Sequence, residues 1–186
     1  MEVLSWIRRI LRGTQTDTTT AASVSHADPL DDTRDEPAYR ARLAAVLSNH
    51  SGEAVASLRG LFDALPDKTT GIDVMVHPAQ EPDGQFTVMV HLSGPDIYVL
   101  NKAVGPWREL FATRITAAGR EPRVPMFDPF VTAFSVNDVI VDVAADWVET
   151  VWRDAGGGAV AVRASVLGDE GYGPTTPRRL PTKDGA

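Results

Sequence analysis

Two runs of strict alternation set the first constraint on what this chain can fold into. Ile72, Val74 and Val76 alternate with Asp73, Met75 and His77, and Phe86, Val88, Val90 and Leu92 alternate with Thr87, Met89 and His91. A period of two puts the apolar set on one face of a half-buried strand. Between the runs, Glu81-Pro82-Asp83-Gly84 supplies Pro and Gly where a tight turn needs them, so the pattern predicts a β-hairpin. A ribbon with one wholly apolar face requires a second layer to cover it.

Helical patterns supply that layer. Asp35 is placed to cap a helix with Pro37 in its first turn and a buried stripe at Tyr39, Leu43, Val46 and Leu47. Ser51 is placed to cap a second, carrying Ala54, Val55, Leu58, Leu61, Phe62 and Leu65 and ended by Pro66, so the two predict a helical hairpin. The longest helix spans roughly residues 136–154. Ser135 stands at its cap, Asp138 in the position of a capping-box acid, and Gly156-Gly157-Gly158 beyond its end. Val136, Val139, Ile140, Val143, Trp147 and Val151 form its buried stripe. Residues 95–104 admit a short helix started by Ser93 or Asp96 and ended by Gly105-Pro106. Further strands are predicted at Glu109–Thr116 and Val160–Leu167. Residues 119–134, with Pro122, Pro125 and Pro129 among Met126, Phe127, Phe130 and Phe134, predict an ordered loop anchored by its large apolar side chains. The sum is an α+β single domain with a mainly antiparallel sheet and helices chiefly on one face.

A length of 186 residues accommodates one domain with a real core plus appendages. The expected division is an amphipathic helix at 1–13, a flexible linker at 14–34, the domain at 35–173 and a flexible tail at 174–186 in which Leu180 can still dock. The linker TQTDTTTAASVSHADPLDDTR shows no period and little apolar surface to offset the entropy of ordering it. In the first segment Val3, Leu4, Ile7, Ile10 and Leu11 recur at helical spacing beside Trp6, Arg8, Arg9 and Arg12. The interleaved arginines make it neither a secretory signal nor a transmembrane helix, and a cytoplasmic location follows as an expectation.

Composition then narrows the chemistry. The absence of cysteine removes disulfide frameworks, thiolate metal sites and cysteine nucleophiles. A net charge of −7 argues against general nucleic-acid binding, which wants a basic surface. There is no G-x-S-x-G elbow, no H-E-x-x-H and no phosphate-cradling G-x-x-x-x-G-K. The run Gly168-Asp169-Glu170-Gly171 lacks the ligand spacing of a calcium loop, and no cofactor is indicated.

Three features remain. At 100° per residue, Asp138, Asp142, Asp146 and Glu149 fall on one side of the long helix, opposite Ile140 and Trp147. Like charges at this spacing cost a helix roughly 0.2–0.5 kcal/mol per pair. The ridge is either a solvated face paired with arginines elsewhere or a docking surface for a basic protein partner. His77 and His91 share the second face of the hairpin, where two imidazoles and an aspartate could begin a metal site or serve a small enzyme, although spacing fixes no third ligand. The first helix, through Trp6, Ile7, Arg8, Arg9 and Arg12, suits a partner groove, its own domain or weak contact with a membrane surface.

The run SVNDVIVDVAADWVETVW, the three glycines after it and GDEGYGPTTPRRL resemble uncharacterised bacterial domains of similar size, akin to small acidic accessory proteins, some of which act as immunity proteins. The resemblance implies stoichiometric protein binding, immunity-like or chaperone-like, and brings no functional residue with it. The alternatives are a small enzyme or metal-binding protein using His77 and His91, and a peripheral membrane adaptor acting through the first helix.

Overall fold

A computed structural model describes residues 35–79, 84–117, 119–127 and 132–183. The predicted amphipathic helix at 1–13 and the whole predicted linker at 14–34 lie outside the described residues. The hairpin forms as its alternation requires: β1 (Gly71–Pro78) pairs antiparallel with β2 (Phe86–Ser93), with Val74 opposite Val90 and Met75 opposite Met89. Its apolar set, from Ile72 to Leu92, is buried on one face.

Four helices are present among the described residues. Helix α1 (Glu36–Asn49) buries Tyr39, Leu43 and Leu47, and α2 (Ser51–Asp63) buries Ala54, Leu58 and Leu61. Neither Asp35 nor Ser51 makes a capping hydrogen bond; the Ser51 hydroxyl instead accepts from Trp147 Nε1 at 2.9 Å. The ambiguous stretch after β2 resolves as α3 (Ile97–Ala103), whose Asp96 side chain accepts from the Val99 amide.

The sheet continues through β3 (Glu109–Ala112), which pairs with β2. The third predicted strand is broken at Thr113, so that β4 (Arg114–Thr116) and β5 (Gly119–Glu121) make a separate small ribbon. Thr113 is diverted because its hydroxyl is tied to the Phe86 backbone from both sides. In the following loop Phe127 and Phe134 pack around Tyr39, whereas Met126 stays 49 % exposed, against expectation; Phe130 lies outside the described residues. Burial pushes the Tyr39 hydroxyl well above its ordinary range, only partly opposed by Arg120.

Helix α4 (Val136–Ala155) is the core element. Its expected stripe is buried, but so are Val141, Ala144, Ala145, Val148 and Trp152, because the sheet lies on one side and α1 and α2 on others. Ser135 caps it by accepting from the Asp138 amide, and Gly156 ends it in the left-handed region at φ 91°. The close approach of Gly157 to the Trp152 indole excludes any side chain there, since a Cβ would lie 2.2 Å from Trp152 Nε1. Strand β6 (Arg163–Gly168) then pairs parallel with β1, and β7 (Arg178–Arg179) antiparallel with β6. The order is β3-β2-β1-β6-β7, a mixed, mostly antiparallel sheet in an α+β fold.

Residues 174–183, expected as a flexible tail, are built into the domain. Leu180 is 3 % exposed, the Pro181 carbonyl accepts from Trp152 Nε1 at 2.7 Å, and the Lys183 amide donates to the Val160 carbonyl. The segment is polar in composition yet ordered because it spends its polar groups on specific partners of α4 and β6.

Candidate functional site

The four α4 acids predicted to form a ridge, Asp138, Asp142, Asp146 and Glu149, do not act as one. Gly173 and Thr175, on the approach to β7, cross the first half of the helix. Asp138 Oδ1 accepts from the Gly173 amide at 2.9 Å rather than closing a capping box. Asp142 is only 4 % exposed; its Oδ1 accepts from the Thr175 amide at 3.3 Å and the Thr175 hydroxyl at 2.5 Å. Its Oδ2 lies 3.6 Å from Arg40. The expectation that Asp142 faces a partner is therefore corrected: it is an internal anchor, satisfied because a buried charge must be. Asp146 and Glu149 do face outward, with side chains 67 % and 35 % exposed, and share Arg178 at 2.6 and 3.3 Å.

The two arginines that answer the acids were not legible as a set in the sequence. Arg40 lies one helix away, held by Glu36 at 2.8 Å; that hydrogen bond raises its pKa further above the ordinary guanidinium range. Burial pulls the Arg178 guanidinium down, but its bonds to Asp146 and Glu149 outweigh this and hold it raised. Glu36, Asp138, Asp142, Asp146 and Glu149 together still exceed Arg40 and Arg178 in charge.

Beside this acidic surface runs a groove of about 630 Å³ between α1 and α4. Its wall on α1 carries Pro37, Ala41, Ala44 and Ser48, small and exposed at helical spacing, together with Arg40. Its floor is the edge of Val143 and Trp147, and Asp146 and Thr150 form the opposite rim. Small residues on one wall let another backbone approach closely, while the floor offers apolar surface.

The second face of the sheet is organised differently. Met89, Met75 and Leu167 stand side by side on β2, β1 and β6, and the next row reads His91, Asp73, Ser165, Arg179. His77 and His91 lie two rows apart and lean toward one another across the methionines, their Nε2 atoms 3.3 Å apart. Asp169 Oδ2 sits 2.8 Å from His77 Nδ1, and Arg108 Nη2 sits 3.2 Å from His91 Nδ1.

Chemistry fixes the direction of this chain. Ionised Asp169 can only accept and Arg108 can only donate. His77 therefore carries its proton on Nδ1 and presents Nε2 as an acceptor; His91 carries its proton on Nε2 and accepts from Arg108 at Nδ1. In this arrangement every bond is satisfied. Burial first, then Arg108 and His77, lower the His91 pKa. The hydrogen bond to His77 lowers that of Asp169.

Asp73 is separately engaged, accepting from the Ser165 hydroxyl at 2.6 Å and the Ser93 hydroxyl at 3.2 Å. Among the described residues neither His77 nor His91 is hydrogen-bonded to a serine, so these residues assemble no serine nucleophile with an imidazole base on this face. Among the described residues no group of three or more His, Asp or Glu side chains is arranged to hold a metal ion. No helix among them is long and apolar enough to cross a membrane. Sequence reasoning found both histidines but not Arg108 or Asp169, whose approach depends on loop paths that carry no periodic signal.

In comparisons with known proteins, residues 34–182 match the model of a family of unknown function (DUF6389). No curated protein and no solved structure matches the chain.

Proposed function

The chain belongs to this family of unknown function (DUF6389), and on that premise we propose that it is a non-enzymatic interaction protein that binds a protein partner stoichiometrically through the α1–α4 groove. The observation that carries this reading is the pairing of an apolar floor at Val143 and Trp147 with an outward-facing carboxylate at Asp146, beside which Glu149 stands on the same helix; Arg40 is the one guanidinium among the described residues of the lining. That pairing suits a basic amphipathic helix: apolar side chains fill the floor, and Lys or Arg on its flanks meet Asp146 and Glu149. An immunity-like or chaperone-like accessory role is the concrete form, since both act by occupancy rather than turnover.

Affinity capture with the full chain, followed by identification and stoichiometry, tests it. The expected result is one protein retained at a 1:1 ratio, weakened by salt and by Asp146→Asn with Glu149→Gln. Asp142 is left intact because its loss would report on folding. Retention unaffected by the double substitution and by salt overturns the groove as the binding surface. Catalytic turnover by the purified chain overturns the whole reading.

A further inference from the structure

The groove has a candidate occupant within the chain. The wall of α1 from Pro37 to Ser48 is about 17 Å long at 1.5 Å per residue. The sequence-predicted helix from Met1 to Arg12 has almost the same length, about 18 Å. Its apolar side chains Val3, Leu4, Ile7, Ile10 and Leu11 fall on one side, and Arg8, Arg9 and Arg12 on the other and its flank. The length and apolar side match the groove, and the arginines match the sign of Asp146 on its α4 rim, away from Arg40 on the α1 wall. The connection is also favourable, because α1 starts at Glu36, beside the groove's own residue Pro37. The composition of residues 14–34 predicts a coil, and a coil of that length has a root-mean-square span of about 25 Å, enough to bring the first segment back along α1.

We propose that residues 1–13 dock in cis into the α1–α4 groove, with the apolar side chains against Val143 and Trp147 and the arginines toward Asp146 and Glu149. The inference rests on the proposed reading of the groove and adds regulation to it: the segment occupies the site until a better basic helix displaces it. Tethering sets the energetics. A short flexible link gives an effective concentration on the order of millimolar, so a segment binding with a Kd of about 0.1 mM in trans is docked about nine-tenths of the time in cis. A competing partner then loses about tenfold in apparent affinity.

The absence of native cysteine makes a direct distance measurement simple. Ser5→Cys, on the polar side of the predicted helix, and Asn49→Cys, exposed at the end of α1, carry two nitroxide labels in the full chain. The expected result is one narrow distance, unchanged on dilution with unlabelled chain and lost in both Ile7→Asp and Ala44→Arg. Ala44 is exposed, and residue 7 precedes the domain, so neither substitution disturbs the core.

A broad distribution insensitive to both substitutions overturns the proposal. So does a narrow distance that vanishes on dilution, which would assign the segment to a second copy. Ordering of the Ser5 label only on phosphatidylglycerol vesicles also overturns it, in favour of membrane contact. A synthetic peptide of residues 1–13, added in trans, separates this inference from the reading of the groove. Binding to the Ile7→Asp chain about tenfold tighter than to the native chain, and abolished by Ala44→Arg, supports both. Equal binding to the two chains, still abolished by Ala44→Arg, keeps the groove and rejects docking in cis.

Discussion

The helix side and the open sheet face both concentrate polar side chains, but they hold charge in different ways. On α4 the carboxylates are met by arginines and amides: Asp142 takes Thr175 and Arg40, and Asp146 and Glu149 share Arg178. On the sheet, Asp169 and Arg108 fix from either end which ring nitrogens of His77 and His91 donate and which accept. The first arrangement closes the last strand onto the core. The second is titratable. A cluster of like-charged residues in a sequence is thus a poor guide to surface charge until its partners are known, while a pair of histidines is a poor guide to metal until their ring nitrogens are accounted for.

The sharpest way to break the comparison is at the joint between α4 and the final segment. Trp152→Ala removes a fully buried ring, its edge contact with Phe62 and its bond to the Pro181 carbonyl. Urea unfolding should show a loss of about 3–5 kcal/mol. A loss under about 1 kcal/mol would mean that the segment is not held by the core.

Asp142→Ala ranks next. It leaves the Thr175 amide without its acceptor and Arg40 without one of its two carboxylates, and about 2–4 kcal/mol of stability should go with it. If the whole α4 row were merely solvated, this variant would unfold like the wild type.

The sheet face should respond to pH instead. A His91 pKa below its ordinary value means that the unfolded chain binds the proton more readily than the folded one. Its contribution is then fully present above about pH 6.5, the unfolded value, and is lost as pH falls from there through the lowered folded value. Thermal melts between pH 7.5 and 5 should show a falling Tm whose slope flattens in His91→Gln. The lowered Asp169 value adds a further loss only at more acidic pH, as the carboxylate protonates. An identical pH profile in wild type and variant would remove the tautomer chain from consideration.

Asp146→Asn should do least. Its bond to Arg178 is short but exposed, so the stability change should stay within about 0.5 kcal/mol, while any binding through the groove weakens with it. A larger loss of stability would move Asp146 into the same class as Asp142.

Periodicity and punctuation determined much of this protein locally. Alternation from Ile72 to Leu92 dictated the hairpin and its buried face, and Ser135 and Gly156 bounded α4 where a cap and a left-handed terminus belong. These signals are local: each depends on residues within a turn or two, or on neighbours across one tight connection. The tertiary structure decided the rest. It made β6 parallel to β1, surrounded α4 so that its acidic side became partly interior, and ordered Thr175 to Leu180 where composition suggested a loose tail. The physical reason is common to all three. A parallel pairing, the burial of a carboxylate and the docking of a polar segment each depend on partners beyond the reach of any local period, such as Arg40 for Asp142 or Asp169 for His77. No period in the sequence records those meetings; only the packed fold brings them about.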